Sequence, residues 1–236
     1  MKIFFCPKKL NCLVFTLIYF LSTCITVFCQ EQKVVADLAM WTEIKMNKSI
    51  IKNLQFSVSQ HFRFNKNISS FEDYIADAEL QYSINKNFSI GTNGRYTRNK
   101  HYNQIVENDY RYDLNFEYDS KIRHNLKFYY RLKYQKEYYG SSVFNQYLNY
   151  HETTYRNRIK FGWEFNKNHQ LYSSAEIFRQ NKQSRDFYFS KYRLFFGDDI
   201  STRMGEFDAA FGFEQELNSV HPLTCYIFKL AYQFTL

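Results

Sequence analysis

From about residue 53 onward the chain alternates apolar and polar positions with a period of two, run after run. Successive side chains of a β-strand point to opposite faces, so each run reads as a strand with one apolar face. Leu54, Phe56, Val58, Phe62 and Phe64 share a face; Gln55, Ser57, Ser59, His61 and Arg63 share the other. The middle of the chain is plainest. Tyr110, Tyr112, Leu114, Phe116 and Tyr118 alternate with Asp109, Arg111, Asp113, Asn115, Glu117 and Asp119. Leu126, Phe128, Tyr130, Leu132 and Tyr134 alternate with Lys127, Tyr129, Arg131, Lys133 and Gln135, and Tyr155, Ile159, Phe161 and Trp163 with Arg156, Arg158, Lys160 and Glu164. Helical spacing accounts for none of these.

About ten such strands are predicted over residues 53–236. Short connections (Asn85-Lys86-Asn87, Ser120 to Asn125, Asn166 to His169, Ser201 to Gly205) alternate with mostly longer ones near 65–72, 99–106, 138–150, 181–186 and 216–222. Sheets with one polar and one apolar face, short turns on one side and longer loops on the other are the habit of transmembrane β-barrels, which in bacteria favour even strand numbers. The fold expectation is therefore all-β: a closed antiparallel transmembrane barrel of about ten strands. Residues 38–46 also look strand-like, so 31–52 are expected to be an N-terminal strand or a plug, with twelve strands open if a poorly marked partner exists.

Composition sharpens this picture. Tyr (21) and Phe (25) bring the aromatics to 20%, a share that suits the interfacial belts of a membrane barrel. Mean hydropathy is −0.53, which rules out a bundle of apolar membrane helices but not a barrel, where only alternate residues face lipid. Residues 1–30 read as a secretory signal peptide: Lys2, Lys8 and Lys9, then an apolar run from Leu10 to Cys29. An uncleaved anchor is the alternative, since the run is long enough to span. Cleavage would remove Cys6, Cys12, Cys24 and Cys29 and leave Cys225 alone, which excludes an intramolecular disulfide framework. It would also remove three lysines and no acid, lowering the net charge from +8 to +5. That mild excess hints at anionic head groups or acidic solutes and gives no reason to expect nucleic acid.

The chain resembles a family of uncharacterised Gram-negative outer-membrane barrels grouped as a domain of unknown function. The resemblance lies in Met40-Trp41-Thr42-Glu43, Gln60-His61-Phe62-Arg63-Phe64, Asp73-Tyr74, Tyr82-Ser83-Ile84-Asn85-Lys86-Asn87-Phe88, Gly94-Arg95-Tyr96 and Tyr192-Arg193-Leu194, and it extends over most of the chain after the leader. It implies an outer-membrane barrel with no established activity, and it carries over no functional residue.

The polar faces hold the candidate chemistry. Lumen-lining residues are expected at Arg95, Arg111, Asp113, Glu117, Lys127, Arg131, Arg156, Arg158, Glu176 and Arg193. Arginine forks suit carboxylate or phosphate groups. A register closing near 121–123 predicts Asp113 beside Arg131 and Glu117 beside Lys127; one closing near 168 predicts Lys160 beside Glu176. A barrel of this size is only slightly wider than those that side chains fill, so a salt-bridged filling competes with an open path. Ser59 and His61 share the polar face two positions apart, but no hydrolase motif surrounds them. Asp198-Asp199 point to opposite faces and cannot converge without a bulge. No metal-ligand, phosphate-loop or dinucleotide motif is present, and no catalytic residue, metal or cofactor is expected. The expectation is a non-enzymatic, monomeric protein of the bacterial outer membrane with lipid as its surroundings, either structural or a narrow, porin-like solute path. The competing readings are a phospholipase- or protease-type barrel and a soluble secreted barrel binding an apolar ligand with its aromatics turned inward.

Overall fold

The computed structural model of the protein describes residues 35–100, 106–140, 151–182 and 186–236. The leader expected at 1–30 and parts of the longer connections (101–105, 141–150 and 183–185) lie outside the described residues. The described residues form eleven strands and no helix: β1 (Val35–Ile51), β2 (Leu54–Asn65), β3 (Ser70–Ser83), β4 (Phe88–Lys100), β5 (Val106–Arg123), β6 (Leu126–Tyr138), β7 (His151–Glu164), β8 (His169–Lys182), β9 (Tyr188–Ser201), β10 (Glu206–Glu216) and β11 (Leu223–Thr235). Each pairs antiparallel with its sequence neighbour, and β1 pairs with β11 to close the barrel. The expectation of about ten strands with 31–52 as a strand or plug resolves into ten strands plus β1, a full member of the wall. An odd strand number makes the first and last strands run the same way. The seam is accordingly parallel, from Val35 opposite Leu223 to Asn47 opposite Thr235.

Local chemistry sets the turns. At one end of the barrel the tripeptide Asn-Lys-Asn occurs twice with the same geometry. The Asn85 Oδ1 accepts from the backbone N–H of Asn87 (2.8 Å) and Phe88 (2.9 Å), and the Asn166 Oδ1 accepts from Asn168 (2.8 Å) and His169 (2.9 Å). Asparagine does this because its side-chain carbonyl mimics a backbone acceptor. The β1–β2 turn is Lys52-Asn53, with Asn53 at φ 70°. The start of β1 and the β2–β3, β4–β5, β6–β7, β8–β9 and β10–β11 connections share the opposite end. There Lys66, Asn67 and Ile68 all have positive φ (50°, 57° and 65°), an unfavourable run for residues other than glycine. The Asp37 carboxylate of β1 holds it, accepting from the backbone N–H of Lys66 (3.0 Å) and Asn67 (2.8 Å), while Ile68 N–H donates to the Leu38 carbonyl (3.0 Å). β1 thus secures the neighbouring loop as well as the seam.

The burial pattern is inverted relative to an ordinary soluble domain. Among the described residues sixteen polar or charged side chains are buried against six apolar ones, while Ile44, Leu80, Ile90, Leu114, Ile159 and Phe196 stand exposed on the outside. Most of the described aromatics face outward, while Trp41, Tyr172, Phe178 and Phe195 face the interior. The outer face is also banded. Ring–ring contacts gather toward the loop end (Phe62 with Tyr74, Tyr96 with Tyr110, Tyr134 with Tyr155, Tyr192 with Phe213) and toward the turn end (Phe88 with Tyr118, Phe128 with Phe161, Trp163 with Phe165, Tyr232 with Phe234). Between them, mid-strand outward positions carry uncharged, mostly small or aliphatic residues such as Ala76, Ala78, Leu114, Leu132, Ala175, Leu194, Ala209 and Leu230, with Phe196, Phe211 and Phe228 among them. Outward charges occur near strand ends, at Lys48, Arg98, Lys136, Arg179 and Asp198.

An apolar patch lies inside, beside the seam. Ala39, Cys225 and Ile227 are buried together, with Trp41 and Phe195 packed on them. Gly212 leaves the space that Phe195 occupies: a Cβ there would collide with its ring.

Candidate functional site

Alternation delivers every second side chain of all eleven strands to one enclosed space, and that space is charged. Asp113 on β5 is fully buried and accepts from Arg111 (2.9 and 3.2 Å), Gln135 (3.0 Å), Asn93 (3.3 Å) and Lys133 (3.4 Å). Asp77 on β3 accepts two bonds from Arg95, at 2.6 and 2.5 Å, and lies 3.0 Å from His61 Nε2. Glu176 on β8 is the centre of the densest cluster. Its Oε1 accepts from Arg156 Nε (3.1 Å) and Arg131 Nη2 (3.3 Å); its Oε2 accepts from Arg156 Nη2 (2.9 Å) and lies 3.6 Å from Arg193 Nη1. Arg193 also bonds Glu214, which takes Lys191 at 3.1 Å. Such charges tolerate burial because each carboxylate has several donors, and removing one member would leave the others uncompensated.

Two chambers meet inside this framework. One, of about 860 Å³, extends from residues near the loop end, such as Lys182 and Asn218, down to mid-barrel. The other, of about 870 Å³, extends from His124, Asn125 and Lys167 at the turn end up to the same level. Glu43, Lys45, Arg158, Lys160, Asp208 and Lys229 line both, so they form the waist between them. Ion pairs cross this level: Lys229 to Asp208 (2.6 Å), Lys160 to Asp199 (2.6 Å) and Lys45 to Glu79 (2.8 Å). The two chambers show that the interior is not solidly filled by the described side chains. A side cavity of about 240 Å³ reaches from the β3–β4 turn at Asn85-Lys86-Asn87 to Gln81, Glu117, Arg131 and Arg158.

Each expected lumen residue has a definite place. Arg95, Arg111, Arg131, Arg156, Arg158, Glu176 and Arg193 line the loop-end chamber; Lys127 lines the turn-end chamber; Glu117 lines the side cavity; Asp113 is buried beneath Arg111 and Lys133. The expected partnerships need correction. Asp113 stands opposite Gln135 and Glu117 opposite Arg131, because the β5–β6 turn falls at His124-Asn125, with a register shift between Lys121 and Arg123, two residues beyond the expected centre. Glu176 stands opposite Arg158, not Lys160, because the β7–β8 turn occupies 165–168 and is centred earlier than assumed. Lys127 bonds Glu164 instead (2.7 Å), and Glu117 accepts from Gln81 (2.8 Å).

The Ser59–His61 contact does form, at 3.1 Å, but on the same ring nitrogen that meets Asp77. One nitrogen cannot donate to Asp77 and accept the serine proton at once. A serine–histidine pair oriented by a separate acid needs the acid on the other nitrogen, where Glu43 stands 3.6 Å away, beyond hydrogen-bond distance.

The model of the family described as "Protein of unknown function (DUF2490)" matches residues 38–204. The chain belongs to this family. The match runs from β1 into the β9–β10 turn. No curated protein matches the chain. The DUF2490 barrel holds interior groups that motif reading did not single out. The ring of Trp41 is flanked by Arg63 (4.4 Å) and Arg193 (4.7 Å). Lys45, Asp208 and Lys229 help form the waist, and Tyr172 donates to Asp208 (2.8 Å). Their signal was inward parity combined with charge. The positions that matter for a barrel are set by which strands the closure brings opposite one another, and no local motif records that.

Proposed function

We propose that this DUF2490 protein is an outer-membrane barrel of a Gram-negative bacterium, exported by the segment at 1–30, and that its interior is a narrow, charge-lined path for small polar solutes. One observation carries the membrane reading: an apolar band free of charge, between two bands richer in aromatics, on the outside of a barrel whose inside is mostly polar. In water such an exterior would be an aggregation hazard; in a bilayer it matches hydrocarbon flanked by interfacial aromatics. The strands run from 11 to 18 residues, and 9–11 suffice to cross the hydrocarbon core at a steep tilt. A closed barrel has no edge needing a partner strand, which supports a monomer. The two chambers meeting at a salt-bridged waist support a restricted path, in keeping with the non-enzymatic reading.

Cysteine scanning in lipid vesicles tests the membrane reading. A lipid-soluble maleimide should label cysteines at Tyr112, Leu114 and Phe116 and spare those at Arg111, Asp113 and Asn115. Equal labelling of both sets would end it. The path is tested in planar bilayers. Wild-type protein should give small discrete current steps. Removing one waist pair together, Lys229→Ala with Asp208→Ala, should enlarge them, since both members of the 2.6 Å pair leave without stranding a charge. Silence in both proteins would mean a filled interior.

A further inference from the structure

Most interior cations are matched to a carboxylate, but one facing pair has a single ion pair for its two members, from Arg131 Nη2 to Glu176 at 3.3 Å. Arg131 on β6 and Arg158 on β7 are direct cross-strand partners. Both line the loop-end chamber. Like charges directly opposite on a sheet are destabilising, with Cβ atoms only about 4.5–5.5 Å apart. The nearest acids are already engaged elsewhere. Glu176 stands opposite Arg158, yet both its oxygens are occupied by Arg156, Arg131 and Arg193. Glu117 stands opposite Arg131, yet accepts from Gln81 and forms no ion pair with the arginine. As a result Arg131 Nε is buried with no hydrogen-bond partner. The Arg158 guanidinium makes no ion pair or hydrogen bond with any described residue, although it lines all three cavities. Buried donors are rarely left unsatisfied, so an orphaned Nε beside an unmatched guanidinium calls for an acceptor.

We propose that Arg131 and Arg158 form a binding site for a small oxyanion, a carboxylate or a phosphate, at the waist of the barrel. The chemistry fits. A guanidinium presents a planar fork of donors that meets two oxygens of one carboxylate or phosphate at once. Arg131 spends Nη2 on Glu176 and keeps Nε; Arg158 keeps its whole fork. An anion held between them would supply the missing acceptor and cancel the repulsion across the strands. Arg158 borders both chambers, so the site stands where any solute moving between them must pass. The side cavity that both arginines line, at about 240 Å³, has room for an ion of phosphate size.

This inference rests on reading the interior as a solute path, but its test does not need a membrane. Full-length protein refolded in detergent micelles is titrated calorimetrically with inorganic phosphate and, separately, with acetate. The wild type should bind at least one of them saturably with one ion per barrel, and which one binds identifies the anion class. Arg158→Gln should weaken that binding at least tenfold. Arg158→Lys should also weaken it, because a point charge replaces the fork. Lys48→Gln, exposed on the outer face near the end of β1 and bordering none of the cavities, serves as the control and should leave binding unchanged. Intact barrel formation in each variant is checked by retained β-sheet circular dichroism. Absence of saturable binding of both anions by folded wild type, or equal affinity in folded Arg158→Gln, would overturn the proposal. A failed cysteine scan with intact phosphate binding would instead remove only the membrane reading.

Discussion

Replacing Glu176 by glutamine should lower the free energy of unfolding by about 3–5 kcal/mol, the usual loss when one member of a buried ion network is removed. Glu176 is 6% exposed, and its two oxygens are met by guanidinium groups from β6, β7 and β9. Glutamine keeps the shape but deletes the charge that lets Arg131, Arg156 and Arg193 converge, and it turns part of the acceptor into a donor facing donors. Urea titration of the refolded barrel in lipid vesicles, followed by tryptophan fluorescence, measures the loss. A double-mutant cycle with Arg156→Gln separates the pair from the network. The double variant should lose less than the sum of the singles, because the second change removes one stranded cation. Losses that simply add would show that the three arginines do not depend on this carboxylate.

The second prediction places a charge on the outside. Leu114, at the middle of β5, is 54% exposed. In a water-soluble barrel Leu114→Arg would be nearly neutral, as exposed surface substitutions are. If the band between the aromatic bands faces hydrocarbon, the same change should destabilise by about 2–4 kcal/mol. Ile122→Arg, near the end of the same strand, should lose only about 0–1 kcal/mol, because the penalty falls toward the interface. The contrast between two similarly exposed sites (Ile122 is 53% exposed) is the informative quantity, since it cancels the propensity of arginine for strands. Equal effects at both depths would remove the bilayer from the account.

How much of this was legible in the sequence depends on the kind of information. Among the described strands after β1 the face of most side chains was legible, because strand periodicity is two and the two faces meet different surroundings. Tyr112 out and Asp113 in follow from that alone. The membership of β1 was blurred for a physical reason. Its inward residues Ala39 and Trp41 are apolar because they pack with Cys225, Ile227 and Phe195 beside the seam, so the contrast between its two faces fades there. The ion-pair partners were not legible. Register depends on where each turn closes, and the shift between Lys121 and Arg123 together with the tight His124-Asn125 turn moved the β5–β6 pairing by four positions, exchanging Arg131 for Gln135 opposite Asp113 while leaving every face unchanged. Contacts that cross the interior, such as Lys45 to Glu79 or Lys160 to Asp199, require the closed barrel and have no local signature.

The parallel seam has a consequence for biogenesis. Every other strand pair joins immediate sequence neighbours and can zip as its hairpin emerges, but Val35 and Leu223 must find each other across nearly the whole polypeptide. Bringing such distant ends together carries the largest loop-closure entropy of any pairing in the molecule. Sealing should therefore be the slow, final act of maturation. Until it happens the unfinished sheet presents two raw margins of unpaired amides and carbonyls, an intermediate suited to capture by an assembly factor and vulnerable to proteolysis if none arrives.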